Sequence, residues 1–192
     1  MIDVPVPRAF FEVLAVGAQS PAQGTWTDAE YGWNGSGWVS LTGSSNAGGP
    51  VGPGAFGPVY LLSSVACGSP AACVATRGYP GATPDALSWN GTVWSAAELQ
   101  SVAPGAGLYV QSLSCGSPTT CQAVGFYPRG GGALAPFAES WDGNAWSSQP
   151  VPTRAITSGL EEVQLNGVSC PLATWCLAVG SQGGAPVALT YH

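Results

Sequence analysis

The chain has 192 residues, of which only 7% are charged, and its formal net charge at pH 7 is -6. Lysine and arginine together number four, too few to neutralise a phosphate backbone, which argues against nucleic-acid binding. No run of about 18 apolar residues exists, so we expect no membrane span, and frequent glycine and proline argue against a helical bundle.

The first predicted unit starts with an apolar strand at Val13 and reaches Trp33, where an Asn-Gly turn leads to Trp38. Asn-Gly between aromatic-rich strands predicts a tight hairpin whose two turn residues both adopt positive φ. Val13 stands where later units have a cysteine, and the sequence leaves open whether Ala9 to Val13 adds part of a preceding strand. We therefore predict three strands for this unit.

The next two predicted units have four strands each. In both, a strand ends at one cysteine, a second strand starts at another cysteine, a third ends at a tryptophan, and a fourth starts at the next tryptophan. The last unit repeats this order as far as a third strand ending at Tyr191. About fourteen short strands in a single repeat domain result, with units at about 10-45, 57-100, 107-150 and 161-192. Four antiparallel strands per repeat of this length are typical of β-propeller blades.

The cysteines form three pairs with one spacing: Cys67 and Cys73, Cys115 and Cys121, and Cys170 and Cys176. The simplest interpretation is one disulfide closing each hairpin loop. Zinc is the competing interpretation, but it requires ligands from two repeats, and no internal histidine is available; free thiols are the third alternative. Disulfides indicate an oxidising compartment, and therefore a secreted or cell-surface protein. We predict no metal and no other cofactor.

The repeat has the pattern Ser-Cys-(x5)-Cys-x-Ala-Val-Gly, as in Ser114 to Gly125, followed by Ser-Trp-Asn-Gly-x-x-Trp, as in Ser88 to Trp94. This pattern resembles the Trp-rich, disulfide-bearing repeats of large secreted bacterial proteins, which look like β-propellers. The resemblance covers about residues 10 to 192. It implies an all-β, β-propeller-like array of about three and a half four-stranded blades, and the uneven ends favour a truncated arc of a larger propeller.

Residues suited to catalysis are few. The single histidine is His192, so no Ser/His/Asp or Cys/His set can be assembled around it. Glu30 and Glu139 stand shortly before the first tryptophan of their units. We interpret them as one repeat position with a structural or surface role, rather than as the paired acids of a glycoside hydrolase.

Trp26 and Trp175 are the predicted ligand-binding residues. The repeated tryptophans are expected to pack between blades, whereas these two break the repeat. Trp175 lies within the third cysteine loop, where the other copies have the small residues Ala72 and Thr120. An aromatic ring on a loop tip is suited to contact with a sugar or a protein.

The sequence therefore predicts a non-catalytic extracellular module for glycan binding, cell-surface protein binding or scaffolding, and argues against an enzyme. The alternative is a fragment of a secreted propeller-type glycoside hydrolase whose other blades hold the active site. Unpaired strand edges in the first and last units predict self-association.

Overall fold

A computed structural model describes residues 13–22, 25–33, 36–40, 61–78, 85–100, 107–129, 132–152 and 162–192. In these ranges the chain forms fourteen strands in four antiparallel sheets that follow one another along the sequence. No helix in this part of the chain is long and apolar enough to cross a membrane. The residues before Val13, where part of a first strand was left open, lie outside the described residues.

Each sheet is one unit, and its strands are neighbours in chain order. Unit 1 consists of β1 (Val13–Ala22), β2 (Thr25–Trp33) and β3 (Trp38–Ser40). Unit 2 consists of β4 (Leu61–Ser69), β5 (Ala72–Gly78), β6 (Asp85–Trp89) and β7 (Trp94–Ala96). Unit 3 consists of β8 (Tyr109–Ser117), β9 (Thr120–Pro128), β10 (Leu134–Trp141) and β11 (Trp146–Gln149). Unit 4 consists of β12 (Val163–Leu172), β13 (Trp175–Gln182) and β14 (Ala185–Tyr191).

The predicted fold class is confirmed. The two middle units have four strands, the two outer units have three, and the first strands of units 2, 3 and 4 contact one another in sequence. Each unit also packs against the next one along the chain. Consecutive four-stranded sheets related in this way form a β-propeller-like array.

Each cysteine pair is joined within its own unit as Cys67–Cys73, Cys115–Cys121 and Cys170–Cys176, and no described cysteine is free. In units 2 and 3 the second cysteine also stands opposite the first tryptophan on the neighbouring strand. Disulfide and indole rings therefore form one row across the sheet.

The turn between the two tryptophans differs from the predicted hairpin. Trp141 pairs with Trp146, so four residues separate the paired positions instead of two. Positive φ among the described residues occurs only at glycines, and Gly143 has a φ of 96°. Asp142 Oδ1 accepts the N–H groups two and three residues ahead, each at 2.8 Å, and Asn90 accepts the corresponding groups in unit 2. The side-chain acceptor stabilises the longer loop, so a second residue with positive φ is not needed.

The core lies between the units rather than within one central layer. In unit 3, Trp141 and Trp146 pack against Val74 and Ala86 of unit 2. We call the side of a sheet that carries these rings its Trp face, and the opposite side its aliphatic face. In each described interface, the Trp face of one unit covers the aliphatic face of the unit before it.

The other two interfaces repeat this arrangement. Trp89 and Trp94 of unit 2 pack with Val16 and Val39 of unit 1. In unit 4, Tyr191 takes the position of the first tryptophan, and its sheet packs against the aliphatic face of unit 3. The predicted packing of repeated tryptophans between blades therefore holds in units 2 and 3.

The first strands of adjacent units approach closely. The Ser112 hydroxyl of unit 3 accepts the N–H of Val168 in unit 4 at 3.1 Å, and the Ser114 hydroxyl accepts that of Cys170 at 2.9 Å. A Cβ atom on Gly116 would overlap the backbone carbonyl of Leu172 in unit 4. Glycine is therefore required where one cysteine hairpin meets the next.

Candidate functional site

Two clefts lie between neighbouring units. Both open at the end of the sheets where the cysteine hairpins are located. The hairpins and the Trp-to-Trp turns lie side by side there, since a Cβ on Gly143 would come within 2.9 Å of Thr119 Cγ2. The first cleft, between units 2 and 3, has a volume of about 240 Å³. The second cleft, between units 3 and 4, has a volume of about 430 Å³.

The two clefts occupy equivalent positions, but their walls differ. Val74, the residue after the second cysteine of unit 2, lines the first cleft, and Gln122 takes its place in the second. On the facing wall, Trp141 of the first cleft is replaced by Tyr191 in the second. The second cleft therefore has the Gln122 amide and the Tyr191 hydroxyl at positions where the first cleft has Val74 and Trp141.

Trp175 lines the second cleft. The sequence predicted a loop-tip position, but the structure places Trp175 at the first residue of β13, where it is half-buried. The indole is therefore part of a cleft wall and not an isolated surface ring. Trp26, the other predicted binding residue, lies in β2, but its side chain lies outside the described part of the chain.

Gln122 and Tyr191 bring polar groups to the second cleft that have no hydrogen-bond partner among the described residues. Gln122 is only 3% exposed, and its Nε2 has no hydrogen-bond partner among the described residues. The buried Tyr191 hydroxyl also lacks a partner in this part of the chain. Burial raises the pKa of Tyr191 to about 12, so the phenol stays neutral at physiological pH. A buried donor without a partner costs about 1–3 kcal/mol, which a ligand acceptor would recover.

Asp142 supplies a negative charge at the same cleft. The backbone N–H groups of Ala145 and Asn144 hold the pKa of its carboxyl below the usual value. Beside it, Gln149 Nε2 donates to Ser140 Oγ at 2.8 Å. None of the residues that line this cleft is a lysine or arginine. His192, around which the sequence predicted no catalytic set, also lines this cleft. The cleft therefore combines aromatic surface, hydroxyl and amide groups, one acidic side chain and one imidazole.

Of the predicted structural or surface roles, the buried position of Glu139 corresponds to the structural one. Glu139 stands two residues before Trp141, whereas Glu30 stands three before Trp33. The two glutamates therefore stand at different distances from the first tryptophan of their units and are not one repeat position. Glu139 is fully buried on the Trp face of unit 3, with Oε2 accepting the N–H of Gln100 at 2.9 Å.

The carboxylates do not form a pair at either cleft. Asp142 is the only acidic side chain among the residues that line the two described clefts. Among the described residues, no group of three or more His, Cys, Asp and Glu side chains is placed to hold a metal ion. Aromatic side chains, hydroxyl and amide groups, one acidic side chain and the His192 imidazole are the groups that this site offers to a ligand.

No protein-family model matches the chain. The comparison with curated proteins also finds no match. Among solved structures, the chain is similar to a mutant of the Aleuria aurantia lectin in complex with Fucalpha1-6GlcNAc. The TM-score is 0.45, the sequence identity is 16%, and the match covers 93% of this chain and 62% of that chain.

Sequence reasoning did not identify Gln122, Asp142 or Tyr191 as site residues. Gln122 could have been noticed, because the residue after the second cysteine is Val74 in unit 2 and Leu177 in unit 4. A single polar residue at an apolar repeat position is a sign of a local role. The grouping itself could not be read, because the cleft combines residues of two units.

Proposed function

We propose that the protein is a non-catalytic extracellular module that binds neutral glycans in the second cleft. The observation that carries this proposal is the buried, unpartnered Gln122 Nε2 in a cleft that Trp175 also lines. Aromatic side chains beside convergent polar groups in one cleft are common in small-molecule sites. The three disulfides support a secreted or cell-surface location.

The composition of the cleft suits a sugar. A pyranose ring presents an apolar C–H face, which an indole can cover, and hydroxyls that can accept from Gln122 and Tyr191. The Asp142 carboxylate accepts hydrogen bonds from further hydroxyls, and charge-assisted bonds are the stronger kind. The same carboxylate repels an acidic sugar, and the net charge of -6 acts in the same direction. Neutral glycans are therefore favoured over sialylated or sulfated ones.

A glycan array followed by calorimetry tests this function. We expect binding to neutral glycans and none to their sialylated forms. Gln122→Val introduces the residue that unit 2 has at this position, and should weaken binding by about 10-fold, as expected for loss of one hydrogen-bonding group. Trp175→Thr introduces the residue of unit 3 and should weaken binding similarly while the protein stays folded. Val93→Ala, at an exposed turn outside both clefts, is the control and should bind normally.

Two results would overturn the proposal. One is the absence of binding to any glycan by the folded protein. The other is binding that Gln122→Val and Trp175→Thr leave unchanged. Hydrolysis of a chromogenic glycoside by the purified chain would instead support the glycosidase alternative.

A further inference from the structure

The Trp face of unit 1 is exposed, although the same face is covered in units 2 and 3. Trp38 is 53% exposed, whereas its equivalents Trp94 and Trp146 are 4% and 2% exposed. The ring centroids of Trp33 and Trp38 are 5.7 Å apart, close to the 5.4 Å of the pair in unit 2. The ring pair is therefore formed as in the covered units, but none of the four described sheets covers it.

The aliphatic face of unit 4 is exposed at the opposite end of the chain. Val179 is 46% exposed, whereas its equivalent in unit 3, Val124, is 0% exposed. On the neighbouring strand, Ala188 is exposed, whereas its equivalent Ala138 is buried. These two faces are the two halves of the interface that the chain makes three times internally.

We propose that the Trp face of unit 1 binds the aliphatic face of unit 4 in a second copy of this chain. Both faces are exposed in one chain, so its own units 1 and 4 do not cover each other. The internal interfaces define what covers a Trp face: the aliphatic face of another unit, with Val74 and Ala86 against Trp141 as the example. Unit 4 offers such a face. The contact is head to tail, since different surfaces of the two copies meet.

Pro171 indicates that unit 4 is suited to unit 1 in particular. Gly68 and Gly116 follow the first cysteine of units 2 and 3, and both lie against the hairpin backbone of the next unit. Unit 4 has Pro171 at this position, whose ring would collide with a cysteine hairpin placed in the same way. Unit 1 is the one unit without cysteines, with Val13 at the position of the second one. Unit 1 therefore lacks the cysteine-closed hairpin with which Pro171 would collide in the other units.

Sedimentation of the full chain over a range of concentrations tests this contact. The wild-type protein should associate, and Trp38→Arg and Val179→Asp should each raise the dissociation constant by about 10-fold or more, because each places a charge in the apolar contact. Val93→Asp is the matched control, a valine of 44% exposure that lies in a turn between β6 and β7. It should associate like the wild type.

Mixing the two interface variants identifies the geometry. The Val179→Asp copy keeps an intact unit 1, and the Trp38→Arg copy keeps an intact unit 4. A mixture should therefore form a heterodimer through one remaining head-to-tail contact, although each variant alone is monomeric. If Trp38→Arg dissociates the protein while Val179→Asp does not, a symmetric contact between two Trp faces replaces the proposed one.

Hydroxyl-radical footprinting of the wild type provides a measurement that does not depend on the variants folding. Trp38 and Val179 should both become protected as the concentration rises, whereas Val93 should not. A wild-type chain that stays monomeric at about 100 μM, well above the micromolar range of specific association, overturns the proposal.

Discussion

Glu139 is a buried acid at a position where the equivalent residues of units 2 and 4 are Leu87 and Leu189. Desolvation raises the pKa of Glu139 to about 7, and the hydrogen bond from the Gln100 N–H opposes part of this rise. Its Oε1 has no partner among the described residues. The folded state therefore holds the proton more tightly than the unfolded state, whose pKa is near the ordinary 4.5. This group favours folding at low pH, and its favourable effect is lost as pH rises from about 4.5 to about 7.

We predict that Glu139→Gln removes this pH dependence. Below pH 4.5 the variant and the wild type should have similar melting temperatures, because the wild-type acid is neutral in both states. Above pH 7 the variant should be the more stable, since it buries no charge and its amide oxygen can still accept from Gln100. Thermal unfolding followed by circular dichroism at pH 4 to 8 measures the difference.

Asp142→Asn provides a control of opposite sign. The backbone N–H groups of Ala145 and Asn144 lower the pKa of Asp142, so its carboxylate stabilises the fold above the unfolded-state pKa and loses this effect as pH falls. Asp142→Asn should therefore be less stable than the wild type at pH 7, with the difference shrinking in acid. A Glu139→Gln curve parallel to that of the wild type would contradict a titrating buried acid.

At the scale of elements, strand number and order follow from local signals. Apolar runs, the cysteine spacing and the repeated tryptophans predicted about fourteen strands in four units, and the described residues form fourteen strands in four sheets. The turn was wrong in detail because Asn90 and Asp142 act through their side-chain oxygens, so only one residue needs positive φ. The predicted two-residue turn and the observed four-residue loop both contain an Asn-Gly or Asp-Gly pair, so this pair alone does not distinguish them.

The cysteine hairpin is the element whose covalent link can be removed most cleanly. The unit 3 disulfide closes a loop of about seven residues, and the chain-entropy relation gives about 2.4 kcal/mol for a loop of that length. We predict that Cys115→Ala combined with Cys121→Ala lowers the free energy of unfolding by about this amount in urea denaturation. Peptide mapping of the same non-reduced variant should still show Cys67–Cys73 and Cys170–Cys176. Exchange of partners between units in the variant or the wild type would contradict hairpins that form independently.

The whole molecule is a row of units in which most contacts join nearest neighbours. Stability in such arrays is a sum of unit terms and interface terms, and an end unit has only one interface. The cleft residues could not be predicted from the sequence for the same reason. Gln122 and Trp175 are 53 residues apart in the sequence, and only the packing of unit 3 on unit 4 brings them to one cleft.

We predict that native-state hydrogen exchange is slowest in the middle of the row. The amides of Ala123 and Val124 in β9 lie in unit 3, which like unit 2 has described interfaces on both sides, and both side chains are fully buried. Those of Gly17 and Ala29 in unit 1 should exchange faster, because one face of that unit is open. Equal exchange rates of the unit 1 and unit 3 amides in dilute solution would contradict this prediction, because they would mean that all units unfold together in one cooperative step.

The serine hydroxyls of β8 have a consequence for the order in which the chain assembles. Val168 and Cys170 donate their N–H groups to the hydroxyls of Ser112 and Ser114 in the preceding unit. These two N–H groups of β12 therefore reach their acceptors only when unit 3 is already folded. Synthesis delivers unit 3 first, and domains generally fold from the N-terminus as they emerge. Each completed sheet thus presents acceptors to the strand that emerges after it. Each unit is thus synthesised after the unit that supplies its hydrogen-bond acceptors. The array can therefore grow by adding each new unit to the one that folded just before it.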